Sequence, residues 1–350
     1  MLRMSKLLAG AIAAAAVCLS AGVSAAEMKG AAYADLRFGL DYFDDKNSGN
    51  PADVNFENHG SFWGFKGSAS QGGLTAFGAY ERWMDADTQV IIDIVRQSYA
   101  GVMTGFGTVQ YGTFATAYMD SGRKLDPFYA TAAAGIGQPT ATVAGGQSHG
   151  LSFLTSDGAA QIIGGGFVSN QLAYTSPSFA GLTGNVAVMF DDGAGPNEQD
   201  DYAAGVEFSH WGITAGAQYL EANNSTNIGL AEDEEAVRLY GGFSQRRFGV
   251  AVSGERIDLV GGANDADFLM LSGWFGVLPG TRVAASASME NETGAEGTSF
   301  RVGVFHDVLD NFTTHVVYRN YNNTDATTPD DQVISLGASF KFELSGMTSR

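Results

Sequence analysis

The stretch Ala34-Asp35-Leu36-Arg37-Phe38-Gly39-Leu40-Asp41-Tyr42 alternates strictly. In an extended strand Ala34, Leu36, Phe38, Leu40 and Tyr42 fall on one face and Asp35, Arg37, Gly39 and Asp41 on the other. One face suits lipid or a core; the other suits water. The same two-residue period recurs in Ile213, Ala215, Ala217 and Tyr219 against Thr214, Gly216 and Gln218, and in Phe248, Val250 and Val252 against Arg247, Gly249, Ser253 and Glu255. Phe300, Val302 and Val304 oppose Ser299, Arg301 and Gly303, and Ile334, Leu336, Ala338, Phe340 and Phe342 oppose Ser335, Gly337, Ser339 and Lys341.

Such runs lie near 31–42, 58–68, 72–83, 91–103, 106–114, 166–175, 181–190, 201–209, 212–221, 235–243, 246–257, 266–276, 281–290, 297–306, 312–321 and 332–342. Between them, long polar connections (43–57, 84–90, 115–165, 191–200, 222–234, 258–265, 291–296, 322–331) alternate with tight turns. Long loops at one rim and short turns at the other are the rhythm of a transmembrane barrel. The fold expected is therefore all-β, an antiparallel transmembrane barrel of about sixteen strands. A soluble all-β protein with one buried and one wet face per strand would use the same alternation. The even strand number, the loop rhythm and aromatic residues near strand ends (Tyr42, Trp83, Trp211, Tyr219, Trp274, Phe342) favour the membrane barrel.

Residues 1–26 carry Arg3 and Lys6, an apolar run from Leu7 to Leu19, and Ser24-Ala25-Ala26. They read as a cleaved export signal. Cys18 lies within the apolar run, and the chain beyond it has no cysteine and hence no disulfide. The formal charge is −19, and removing two cations with no acid takes the mature chain to −21, which excludes nucleic acid as a natural partner. The 47 glycines, with scarce proline and abundant Phe and Tyr, suit close-packed twisted strands better than helices. The domain reading is a signal (1–26), a barrel (27–342) and a tail (343–350).

The interval 115–165 is too long for an idle connection. Rich in Ala, Gly, Ser and Thr, it reads as a loop folded into the lumen, where it narrows the channel.

Several pieces resemble the general bacterial porins, trimeric diffusion channels of Gram-negative outer membranes. They are Ser61-Phe62-Trp63-Gly64-Phe65-Lys66-Gly67; Gly72-Gly73-Leu74-Thr75-Ala76; Arg96 with Tyr99-Ala100-Gly101-Val102 and Gly105-Phe106-Gly107-Thr108-Val109-Gln110-Tyr111-Gly112; and Asn170-Gln171-Leu172-Ala173-Tyr174-Thr175-Ser176-Pro177-Ser178-Phe179-Ala180-Gly181. The resemblance implies a homotrimer in the outer membrane. It also implies an inward constriction loop between the fifth and sixth strands, in agreement with the reading of 115–165. Where the family commonly carries basic residues this chain has Phe62 and, near the loop's far side, Thr175; Arg96 alone matches, so the implied arginine ladder is thinned. The chain also runs eight residues past Phe342, where porins tend to end.

The candidate pore constriction comprises Phe62, Lys66, Arg96, Asp120, Arg123, Lys124, Asp126 and Thr175. Asp120 and Asp126 either face Arg96 across water, setting up a transverse field, or pair locally with Arg123 and Lys124 to hold the loop's shape. Parity assigns Asp35, Arg37, Arg238, Arg247, Arg282, Arg301 and Arg319 to the lumen wall, with Lys341 and the acids Asp41, Glu81, Glu207, Glu255 and Glu290. Most acids lie in the long loops, including Glu232, Asp233, Glu234 and Glu235, a possible calcium site. An acidic mouth enriches cations and lets divalent ions bridge to outer-membrane lipid and lipopolysaccharide.

Enzyme chemistry finds little support. The five histidines have no metal-ligand spacing, and no G-x-S-x-G or phosphate-binding loop occurs. No cofactor is expected. The expected function is passive diffusion of small hydrophilic solutes and ions with weak cation preference. A substrate-specific outer-membrane channel and a non-conducting adhesion or calcium-binding barrel are the alternatives.

Overall fold

The strands turn mainly apolar side chains outward and carry most of their charged side chains inward, with apolar residues on the inner wall where a loop packs against it. The computed structural model describes residues 27–45, 52–84, 95–134, 167–190, 200–222, 234–259, 266–292, 295–323 and 331–345. The expected export signal (1–26), most of the expected constriction loop (135–166) and the end of the expected tail (346–350) lie outside these residues.

The strands are β1 (Glu27–Asp45), β2 (Asp53–Asn58), β3 (Phe62–Gln71), β4 (Leu74–Trp83), β5 (Val95–Thr104), β6 (Gly107–Ala115), β7 (Phe167–Thr175), β8 (Leu182–Met189), β9 (Asp201–His210), β10 (Ile213–Ala222), β11 (Glu234–Gln245), β12 (Phe248–Leu259), β13 (Ala266–Leu278), β14 (Thr281–Glu292), β15 (Ala295–Leu309), β16 (Phe312–Asn323) and β17 (Asp331–Ser345). All pairings are antiparallel, and β1 meets β17 from Ala31↔Ser345 to Asp45↔Asp331, which closes the ring. β3 pairs with Glu27–Asp35 of β1 and β2 with its continuation from Phe38 to Phe43, so the two segments are one stave. The result is a closed barrel of sixteen staves.

Burial follows the sequence period. On β11 Val237 and Leu239 are exposed while Ala236, Arg238 and Tyr240 are buried; on β15 Phe300 and Val304 are exposed while Ser299, Arg301 and Phe305 are buried. A soluble sandwich would bury Leu239 and expose Arg238. The opposite arrangement decides between the two expectations and selects the membrane barrel.

The split in the second stave has a local cause. At His59-Gly60-Ser61 the chain leaves the ladder, Gly60 adopts φ 80°, and the Ser61 hydroxyl accepts the Arg37 backbone N–H at 2.8 Å in place of a backbone carbonyl. A sharper break precedes the long loop. Gly112 takes φ 139° where the β6–β7 register shifts, and a Cβ there would overlap the Ser98 carbonyl of β5. Only glycine sits there without strain, and the ladder resumes at Phe114 and Ala115 before the chain leaves the wall.

The structure departs from the sequence reading at several points, among them β2, which occupies the end of the connection expected at 43–57. The turn expected at 69–71 falls at Gly72-Gly73, both at positive φ (59° and 84°), as a two-residue hairpin turn requires. β17 continues to Ser345, and its Glu343 accepts a hydrogen bond from Lys66 Nζ at 2.6 Å. Of the aromatics expected at the outer girdles, Tyr42 and Phe342 do face outward and Trp211 stands exposed in its turn. Trp83 and Trp274 instead share the inward face of their strands, Trp83 opposite Phe62 and Trp274 packed on the loop's apolar contacts.

Candidate functional site

After β6 the chain enters the lumen at Thr116, whose hydroxyl accepts the Met119 N–H at 3.1 Å and starts helix α1 (Ala117–Arg123). The helix presents Tyr118 and Met119 to the wall. Tyr118 packs with Val168, Leu220, Ala236 and Ile257, whereas Met119 and Leu125 pack with Tyr240 and Met270. Further along, Phe128 and Ala133 are fully buried against Ala284, Phe305 and Val317. The loop is thus fastened to the inner wall successively from β7 to β16.

Polar contacts fix it at defined points. Arg238, fully buried on β11, donates from Nη1 to the Tyr118 carbonyl at 2.7 Å and to Ser121 Oγ at 2.9 Å, and from Nη2 to Glu255 Oε2 at 3.1 Å. The Tyr118 hydroxyl donates to the other Glu255 oxygen. Burial, with the Glu255 carboxylate beside it, pushes the Tyr118 phenol well above its ordinary value, so it remains a proton donor. Lys124 Nζ reaches both Glu207 oxygens at 2.7 and 2.8 Å, Ser272 Oγ donates to the Leu125 carbonyl, and Asp126 Oδ1 accepts the Phe128 N–H at 2.9 Å.

Facing this loop, Arg96 on β5 pairs with Glu81 and stands among three rings, its Cζ 3.9 Å from the Phe62 centroid, 4.3 Å from Phe167 and 5.0 Å from Trp83. Glu81 also accepts from Tyr33 Oη at 2.6 Å and Gln97 Nε2 at 2.8 Å. Arg37 pairs with Asp35 at 2.7 Å and lies over Phe62 and Tyr129; Arg123 lies over Tyr129 and Phe167 and pairs with Asp120 at 3.1 Å. Guanidiniums stacked on aromatic faces join loop to wall at this level. Phe62, which replaces a base of the resembled family, is the plate on which Arg37 and Arg96 both rest.

The expected site residues therefore separate into groups. Phe62, Arg96, Arg123, Asp120, Asp35 and Arg37 come together. Of the two arrangements left open for Asp120, the local pair with Arg123 is the one present, and Arg96 is given to Glu81. Lys124 pairs with Glu207 of the wall instead of a loop acid. Lys66, half-exposed beside Glu343, and Thr175, the last residue of β7, lie toward the short-turn rim, away from the constriction. Arg247 lies in the exposed β11–β12 turn; Arg301 and Arg319 are buried directly opposite each other on β15 and β16. Glu232 and Asp233 lie outside the described residues, and Glu235 is exposed near the start of β11. Tyr129, Phe167 and Trp83 complete the site without having been singled out for it; parity around Trp83 was the available signal.

A family model described as Gram-negative porin matches residues 13–326. The anion-selective porin from Comamonas acidovorans superposes with a TM-score of 0.74 at 15% identity, covering 90% of this chain and 100% of that one. The trimer form of OmpT from Vibrio cholerae gives 0.67 at 15% identity, with 91% and 100% covered. Salmonella typhi OmpF in complex with daunomycin gives 0.66 at 15% identity, with 90% and 97% covered. A comparison with curated proteins finds no match.

Proposed function

Since the chain belongs to the Gram-negative porin family, a family of outer-membrane channels and not of enzymes, we propose that it forms a passive, water-filled pore for small hydrophilic solutes and ions. The observation that carries this is the closed barrel with an apolar exterior, which suits lipid and lipopolysaccharide neighbours, and an interior that holds the buried arginines and, among the described residues, a segment (116–134) fastened to its wall. A weak cation preference completes the reading. Among the described residues, Arg37, Arg96, Arg123, Lys124 and Arg238 are each matched by a carboxylate. The constriction's cations are thereby cancelled, and the chain's net negative charge acts at the mouth.

Planar-bilayer recording tests both parts. Ohmic steps are expected, with a cation-selective reversal potential across a potassium chloride gradient that fades as salt rises, because the Debye length shrinks from about 10 Å at 0.1 M to about 3 Å at 1 M. Absence of conductance overturns the channel, leaving the adhesion or calcium-binding barrel. An anion-selective sign at low salt overturns the charge argument alone.

The assembly we propose is a homotrimer. The trimer form of OmpT supports it, as do small exposed residues such as Ala285 and Ala287 on the outer face of β14. Unheated electrophoresis with light scattering in mild detergent should give three times the monomer mass; a monomer in both overturns it.

A further inference from the structure

Beneath the loop, toward the short-turn rim, the lumen widens into a cavity of about 670 Å³ roofed by Lys124, Leu125 and Asp126. That volume suits a small molecule. Its lining differs from the constriction in two ways.

The first is a flat aromatic surface. Trp274 on β13 stands opposite Gly249 of β12, and a Cβ at Gly249 would overlap the indole, so the ring covers the bare backbone there. One edge packs against the cluster of Phe128, Ala133 and Ala284, and the residue lines the cavity. The second is guanidinium without an acid. Arg282 on β14 lines the same cavity with its Cζ 4.7 Å from the Phe305 ring, which braces the side chain. Neither Arg282 nor Arg246, which also lines it, has a carboxylate partner among the described residues. The cavity's carboxylates have other work: Asp126 caps Phe128, and Asp307 accepts from the Thr313 hydroxyl at 2.8 Å.

Register sets the spacing. Trp274 pairs with Ala284 and Gly276 with Arg282, so Trp274 and Arg282 are diagonal neighbours on one inward face, about 7–8 Å apart. Gly276, paired with Arg282, places no side chain beside the arginine. A ring stacked on the indole would hold a substituent near the guanidinium, which offers two parallel donors matched to a carboxylate.

We propose that this cavity is a binding subsite for small carboxylates carrying a flat apolar face, with Trp274 as the stacking surface and Arg282 as the carboxylate anchor. The proposal rests on the channel reading only for how the solute arrives. An aromatic acid and a sugar acid share this chemistry, and binding strengths separate the two sources.

The test is calorimetric titration of the detergent-solubilised protein with benzoate, glucuronate, acetate and benzylamine, for the unmodified chain and for W274F, R282Q and R282K. Saturable binding of benzoate or glucuronate is expected, the tighter of the two naming the source, with acetate and benzylamine at least tenfold weaker. R282Q should weaken the acid tenfold or more, R282K less, and W274F should reduce the preference over acetate. Acetate or benzylamine binding as tightly as both acids, or unchanged affinity in R282Q, overturns the proposal. Heat-modifiable electrophoretic mobility verifies that each variant is folded, and the arginine pair suffices if W274F is not. Calorimetry needs no conduction, so a barrel that binds the acid yet passes no current would overturn the channel reading and leave this one standing.

Discussion

Replacing Glu255 with alanine should raise single-channel conductance and current noise and widen the solute cut-off, while the barrel itself stays folded. Arg238 is fully buried and Glu255 nearly so, and their pair is completed by the Tyr118 hydroxyl, the Tyr118 carbonyl and Ser121. Removing one member of a buried pair strands the other charge, at about 3–5 kcal/mol. The strand ladders on either side of Arg238 and Glu255 do not depend on these side chains, but α1 does. Moving α1 off the wall lets water reach the stranded guanidinium, so the loop is the part that yields. Glu255→Gln, which keeps an acceptor for Tyr118 but loses the charge, should fall between the two. Single-channel recording with liposome swelling over sugars of increasing size measures the effect. Unchanged conductance and noise in Glu255→Ala would mean that the apolar contacts of Tyr118, Met119 and Phe128 hold the loop alone.

The second large effect is expected at Arg96. Alanine there empties the space between Phe62, Trp83 and Phe167 and leaves buried Glu81, among the described residues, with Tyr33 and Gln97 as donors. The loss should approach the same ~3–5 kcal/mol, with up to about 2 kcal/mol of it traceable to stacking in a desolvated site. Buried ion pairs are often replaceable by apolar residues of similar volume when both charges go. The double variant Arg96→Met with Glu81→Gln should therefore recover most of what Arg96→Ala loses. The midpoint of the heat-induced mobility shift on unboiled gels reads both. A double variant no better than the single would locate the loss in the guanidinium's stacking and not in the stranded carboxylate.

The sequence disclosed the barrel more fully than the site, for a physical reason. Strand faces follow from a period of two, a local property, and Ala34 to Tyr42 reads the same in the chain and on the wall. Turn positions slipped by a residue or more because the last residues of a strand, such as Ala69 to Gln71, can pair or turn, and only the glycine pair that follows decides. Gly273 and Gly276 interrupt the apolar alternation that would fix the face of Trp274, whereas Trp83 shares the parity of inward-facing Glu81 and was readable from it. The stave break at His59 to Ser61 left no mark in the pattern.

Partners within the site were harder still. Arg96 and Glu81 were each legible as inward-facing, but their pairing depends on the β4–β5 register, which shifts between Glu81 and Arg82. The link from Tyr118 to Arg238 and Glu255 joins a loop to two distant strands, and no local period encodes it. Composition did not foretell that nearly every cation at the constriction would find an acid.

The seam between β1 and β17 has a consequence in time. The strand made first in the ring is completed by the strand made last, so throughout synthesis and transit every partial barrel carries two open edges of unpaired backbone groups. Until Ala31 meets Ser345 those two edges stay open to pairing with any other extended chain.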